Sequence, residues 1–204
     1  MIWTDETGFR LWSSRGPLYV RRRVFERYRP DKVVSTVKYG GGKVLFWGCF
    51  SSMGVGPLYR IKGTMTKEVY HTILTTKAMK YTSRLLREYP EISQWTFAAD
   101  NDPKHGAYYN KKYLEKKAAE ADGRLAIMDW PSQSPDLNPI EHIWNWVKRE
   151  LDKKGARPSS EDVLCEWLQE VWSRVPNDLI TSLIEGMPRR VAAVIRARGD
   201  ATKY

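Results

Sequence analysis

The sequence predicts a mixed α/β fold, a single sheet with helices packed on it, and three observations carry that prediction. Lys43 to Ser51 (KVLFWGCFS) is apolar at nearly every position, as expected of a strand covered on both faces. Two short apolar runs, Gln94–Asp100 and Leu125–Trp130, flank a helical stretch, and strand–helix–strand units of this kind close as parallel right-handed crossovers. Strand patterns fill the first half of the chain, and helical periodicities interleave and then dominate the second.

The elements follow in order. IWTDETGFRLW, from Ile2, alternates loosely and reads as a strand, a turn near Gly8 and a second strand. Pro17–Phe25 reads as a further strand carrying the basic cluster Arg21, Arg22 and Arg23, which suits either a solvated face or a phosphate contact. Gly40–Gly42 is a turn and not a phosphate-cradling loop, because no lysine–serine/threonine pair follows and no helix begins there. Gly54 and Gly56 break the apolar strand, and GPLYRIKG returns as its hairpin partner.

Thr66 can cap a long helix from Lys67 to about Tyr89, burying Val69, Ile73, Leu74, Met79, Leu85 and Leu86. Gly106 to about Ala121 is a helix with a basic face. Pro131, Pro135 and Pro139 stiffen the arm before the next helix, which runs from Ile140 to Lys154 with Asn138 as expected N-cap and Pro139 in its first turn. Gly155 and Pro158 separate this helix from one starting at Ser159, where Ser159 and Asp162 have capping-box spacing. Two short helices, Leu179–Ile184 and Arg189–Arg198, lie around Pro188, with Gly199 as C-cap.

Charge and cysteine usage narrow the class. Lys and Arg number 34 against 24 Asp and Glu, a net charge of +10 that favours a polyanionic partner such as nucleic acid. Cys49 and Cys165 sit far apart in apolar runs and read as reduced core residues of an intracellular protein. No apolar run approaches the length of a membrane span, and no secretory leader is visible.

Three carboxylates stand at element ends: Asp5 on the first strand, Asp100 at the tip of a central strand, and Glu141 in the first turn of a helix. Sites of open α/β sheets lie just past strand C-termini. Oxygen ligands of this kind suit Mg²⁺ or Mn²⁺, and a pair of such ions drives in-line phosphoryl displacement. Glu141 equally suits a plain complement to the helix dipole. Zinc is disfavoured, since the only histidines are His71, His105 and His142 and neither cysteine has a partner at ligand spacing. His105, after Lys104, either reaches a substrate phosphate or is an ordinary loop histidine.

Several of these segments together resemble a known family. Trp3–Glu6 (WTDE), Val44–Leu58, Asp100–His105 (DNDPKH), Trp130–Trp144 (WPSQSPDLNPIEHIW) and Ser182–Tyr204 are similar, in order, to the DDE catalytic domain of Tc/mariner-type transposases. The resemblance implies an RNase H-like mixed sheet flanked by helices, with the acid triad falling on Asp5, Asp100 and Glu141. It implies two Mg²⁺ or Mn²⁺ ions on those acids and metal-dependent hydrolysis and strand transfer of DNA. Arg21, Arg22, Arg23, Lys104 and His105 are then candidate phosphate contacts. The implied partners are double-stranded DNA, as transposon ends and target, and a second copy of the chain in a homodimer. A nuclear location follows for a eukaryotic source.

Forty residues separate Asp100 from Glu141, more than in the best-known branches of the family. The surplus fits in the turn after the basic helix, where added length weighs only logarithmically on loop closure. The family also carries N-terminal helix-turn-helix modules, and nothing of that kind precedes Ile2, so the expectation is one catalytic domain over residues 1–204. A transposon-derived protein that binds nucleic acid without cutting it is the competing reading.

Overall fold

The computed structural model of the chain describes residues 1–11, 43–98, 108–128, 130 and 137–198. The expected strand at Pro17–Phe25, the Gly40–Gly42 turn and the Gly199 cap lie outside these residues. Among the described residues five strands form one sheet in the order β3-β2-β1-β4-β5: β1 (Ile2–Arg10), β2 (Lys43–Ser51), β3 (Gly54–Ile61), β4 (Trp95–Ala98) and β5 (Leu125–Ile127). β1, β2 and β3 pair antiparallel, whereas β4 joins β1 and β5 joins β4 in parallel. The parallel crossover therefore forms where the strand–helix–strand pattern predicts it, and the arrangement is the RNase H-like sheet.

Side-chain alternation splits the core into two layers. Trp3, Phe9, Val44, Phe46 and Phe50 face one way, against α4 (Ile140–Lys153), α5 (Glu161–Ser173) and α6 (Asn177–Glu185). Ile2, Trp47, Cys49, Ile61 and Phe97 face the other way, against α1 (Lys67–Ile73), α2 (Met79–Glu88) and Leu114 of α3 (Tyr108–Glu120). The last helix, α7 (Met187–Arg196), follows α6 directly with Pro188 in its first turn, where the missing N–H removes no helical bond. Both cysteines are free and buried. Among the described residues no helix is long and apolar enough to cross a membrane.

The expected turn at Gly8 does not form. β1 runs unbroken to Arg10 because the nine-residue β2 pairs with it along its whole length, with Gly8 opposite Leu45. The glycine accommodates a neighbour: a Cβ there would stand 1.9 Å from Lys43 Cε.

Thr66 caps α1, its Oγ1 accepting from Val69 N at 3.3 Å. A π turn over Leu74–Ala78 joins α1 to α2. Thr72, Thr75 and Thr76 donate their hydroxyls to the carbonyls of Glu68, His71 and Thr72. Hydroxyls bonded back onto the preceding turn compete with the helical ladder and bend it. The cap of α5 is Ser160, whose Oγ accepts from Val163 N, and not Ser159. Asp162 is withdrawn from the expected capping box because it and Glu161 both accept from the Arg60 guanidinium on β3.

Candidate active site

Asp5 lies in mid-strand on β1, on the face covered by α4, and is partly exposed. Its register partner on β2 is Gly48, where a Cβ would stand 2.6 Å from the Trp144 ring and 3.1 Å from that of Trp172. Only a glycine there lets the two indoles pass over the strand. They stack with centroids 4.8 Å apart, and Trp144 is fully buried. Trp144 Nε1 donates to Asp5 Oδ2 at 3.3 Å, so the packing that seats α4 on the sheet also fixes one oxygen of the carboxylate.

Glu141 occupies the first turn of α4 and is partly exposed. The helix begins at Ile140 as expected, but Pro139 and not Asn138 holds the N-cap position, without a side-chain cap. Asn138, the expected cap, is buried and turns its amide to the sheet instead, Nδ2 donating to the Thr4 carbonyl at 3.4 Å. The backbone of Asn138 still accepts from Glu141 N at 3.3 Å. Asn138 stands three residues before Glu141 and Trp144 three after it, and both reach β1, at Thr4 and at Asp5. The start of α4, which carries Glu141, is thus held by two contacts to the strand that carries Asp5.

The neighbouring side chain, His142, turns to the C-terminal helix. Arg190 of α7, a buried arginine, donates Nη1 to His142 Nε2 at 2.7 Å. Burial pushes the His142 pKa down, and Arg190 and Arg149 push it the same way, so the imidazole is the neutral acceptor in this pair. The sequence gives no signal of the link between His142 and Arg190.

Asp100, Lys104, His105 and the Arg21–Arg23 cluster lie outside the described residues; of the three predicted acids the structure describes Asp5 on β1 and Glu141 on α4, the helix whose Trp144 bonds Asp5. Among the described residues no three carboxylate, imidazole or thiol groups converge. The donors present nevertheless suit a hard divalent cation. Asp5 and Glu141 offer carboxylate oxygens, with no thiol at either position. The buried Asn138 Oδ1 beside them has no hydrogen-bond partner among the described residues.

Comparison with known proteins identifies the family. The family model described as DDE superfamily endonuclease matches residues 55–165. The Tcb1 transposase of Caenorhabditis briggsae is 40% identical over 203 residues, all of this chain and 70% of that protein. The Tc1 transposase of Caenorhabditis elegans is 41% identical with the same coverage. Among solved structures, the Mos1 mariner paired end complex with Mn superposes with a TM-score of 0.76 at 20% identity, over 99% of this chain and 56% of that one. The Mos1 transposase catalytic domain with raltegravir and Mg gives 0.70 at 18% identity, over 99% and 85%. At such identities these structures speak for the fold. The family rests on the sequence matches, and by them the chain belongs to the DDE superfamily endonucleases, among the Tc1-type transposases.

Proposed function

We propose that this chain is a single DDE catalytic domain that cuts DNA at transposon ends and joins the freed 3′ end to target DNA, with Asp5, Asp100 and Glu141 as its ligands for two Mg²⁺ or Mn²⁺ ions. The observation that carries this reading is the double tether of the start of α4, where Glu141 stands, to the Asp5 strand through Asn138 and Trp144. A helix-start glutamate serving only the dipole needs neither contact. The sheet register supports the third acid: Trp3 pairs with Ala98, and Asp100 follows Ala98 by two positions as Asp5 follows Trp3.

When bound, the divalent ions would supply Lewis-acid activation of the attacking hydroxyl and stabilisation of the leaving oxygen. The chain's own residues set the geometry. Trp144 orients Asp5 and occupies the space beside it, and the first turn of α4 presents Glu141. Lys104, His105 and Arg21–Arg23 fit contacts to phosphates, which would position duplex DNA without reading its sequence. Two ends require two catalytic domains if each domain cleaves one end, so a homodimer belongs to the proposal, as does action in the nucleus.

The test is Mn²⁺-dependent nicking of supercoiled plasmid followed by a strand-transfer assay with a pre-cut end. Nicking lost in Asp5→Asn, Asp100→Asn and Glu141→Gln supports the reading. Nicking without strand transfer would make the chain a nuclease, and neither activity would leave a transposon-derived binding protein.

A further inference from the structure

Thr4, between the tryptophan and the aspartate of the WTDE motif, has no role in the chemistry described above. It is nonetheless 3% exposed and bonded on two sides. Its Oγ1 donates to the carbonyl of Ala98 at 2.9 Å, across 94 residues of sequence. Its own carbonyl accepts from Asn138 Nδ2 at 3.4 Å, across 134 residues. Ala98 is the last residue of β4 and Asn138 the last before the turn that starts α4.

One residue therefore ties together the three elements that carry, or lead directly to, the three acids. The β1–β4 ladder consists of Ile2↔Phe97 and Trp3↔Ala98. The Thr4 hydroxyl takes the Ala98 carbonyl at the end of this ladder, where the chain leaves for Asp100. On its other side the Thr4 carbonyl accepts from Asn138 Nδ2, while Asn138 Oδ1, the atom that would cap a helix, caps none.

We propose that Thr4 and Asn138 are positioning residues for the metal site: Thr4 sets the spacing of the β4 tip from Asp5 through its hydroxyl, and Asn138 sets the spacing of Glu141 from Asp5 through its amide. The proposal rests on the acid triad assigned above. Groups that orient metal ligands without touching the ion typically change metal affinity or activity by about 10–100-fold when removed. A buried threonine that only stabilised the sheet would change melting temperature and nothing else.

The experiment compares wild type, Thr4→Val, Thr4→Ser and Asn138→Ala. Each is scored for melting temperature without metal, for the Mn²⁺ concentration giving half-maximal thermal shift, for nicking rate at saturating Mn²⁺, and for duplex-DNA affinity in Ca²⁺. Thr4→Val is nearly isosteric and keeps the strand-favouring branched side chain. It should raise the Mn²⁺ midpoint or lower the nicking rate by on the order of tenfold or more, with DNA affinity unchanged. Thr4→Ser, which keeps the hydroxyl, should restore both, and Asn138→Ala should repeat the Thr4→Val pattern by the other arm.

If wild type responds to Mn²⁺ and Thr4→Val matches it in midpoint and rate, Thr4 is an ordinary core residue and the proposal is overturned while the triad stands. A Thr4→Val protein that does not fold leaves Asn138→Ala to decide in the same way. Absence of any Mn²⁺ response in wild type would remove the triad and this proposal together.

Discussion

Trp144 donates its indole N–H to the Asp5 carboxylate at 3.3 Å while standing one helical turn after Glu141, so the side chain that packs α4 onto the sheet is also bonded to a proposed metal ligand. Trp144→Phe keeps an aromatic ring against Trp172 but removes the donor. The lost hydrogen bond to a charged group and the partial cavity should lower stability by about 1–3 kcal/mol in urea unfolding. The Mn²⁺ midpoint of the thermal shift should rise as well. A stability loss with an unchanged midpoint would reduce the indole to packing.

Gly48 should not tolerate a side chain. A methyl group there would press on the Trp144 and Trp172 rings at 2.6 and 3.1 Å, and neither buried indole has room to swing. Gly48→Ala should therefore destabilise by roughly 1–3 kcal/mol, the range of overpacked cores, and weaken the Mn²⁺ response along with Trp144→Phe. Gly8→Ala is the control, because its new methyl meets only the flexible end of Lys43 and should stay within about 0.5 kcal/mol of wild type. Equal losses at the two glycines would contradict this packing.

Alkaline stability should depend on the buried thiols. Burial pushes the Cys49 pKa far above the ordinary thiol range, with Arg84 opposing weakly, and burial raises Cys165 too. The folded state keeps these protons, whereas the unfolded chain releases them above about pH 8.5. The stabilisation is thus fully present below that pH and is lost as pH rises through the window above it. Melting temperature should fall from pH 8 to pH 10, and Cys49→Ala should flatten that fall whatever its own melting temperature. An unchanged slope would place the alkaline sensitivity elsewhere.

Binding to duplex DNA should weaken steeply with salt, because each phosphate neutralised releases a counterion. Replacing one of Arg21, Arg22, Arg23 or Lys104 by alanine should lower the slope of log K against log salt by about one if that residue contacts a phosphate. Random and transposon-end duplexes should bind alike. A slope that no substitution changes would assign the excess positive charge to solubility.

The fold was legible where one physical signal governed an element. The all-apolar run of β2 announced a strand covered on both faces, and both faces are indeed packed. The same held for the parallel β4–β5 crossover and the Thr66 cap. Pairing decided Gly8, where a partner strand of full length overrode a turn residue. Long-range contacts decided the caps: Asn138 is oriented by its Nδ2 bond to β1, and the Asp162 carboxylate is taken by Arg60. Three threonine hydroxyls bond back onto the chain at the π turn, a combination that no single-residue propensity shows. At the site, Glu141 stands at a helix start as the sequence suggests, whereas Asp5 lies in mid-strand and not at an element end, because β1 runs on to Arg10. Thr4, Trp144 and Arg190 act through contacts spanning 94, 139 and 48 residues, and a sequence carries no local mark of such contacts.

The central claim is that Asp5, Asp100 and Glu141 form one metal site, and a melting series with and without Mn²⁺ tests it most directly. Clustered carboxylates repel, so Asp100→Asn should melt at or above wild type without metal. Wild type should gain about 1.4 kcal/mol when free Mn²⁺ is roughly ten times its dissociation constant, because only the folded state binds. Asp5→Asn, Asp100→Asn and Glu141→Gln should each lose most of that gain, whereas Glu6→Gln, on the opposite face of β1, should keep it. An Asp100→Asn or Glu141→Gln protein that responds to Mn²⁺ like wild type would contradict the account.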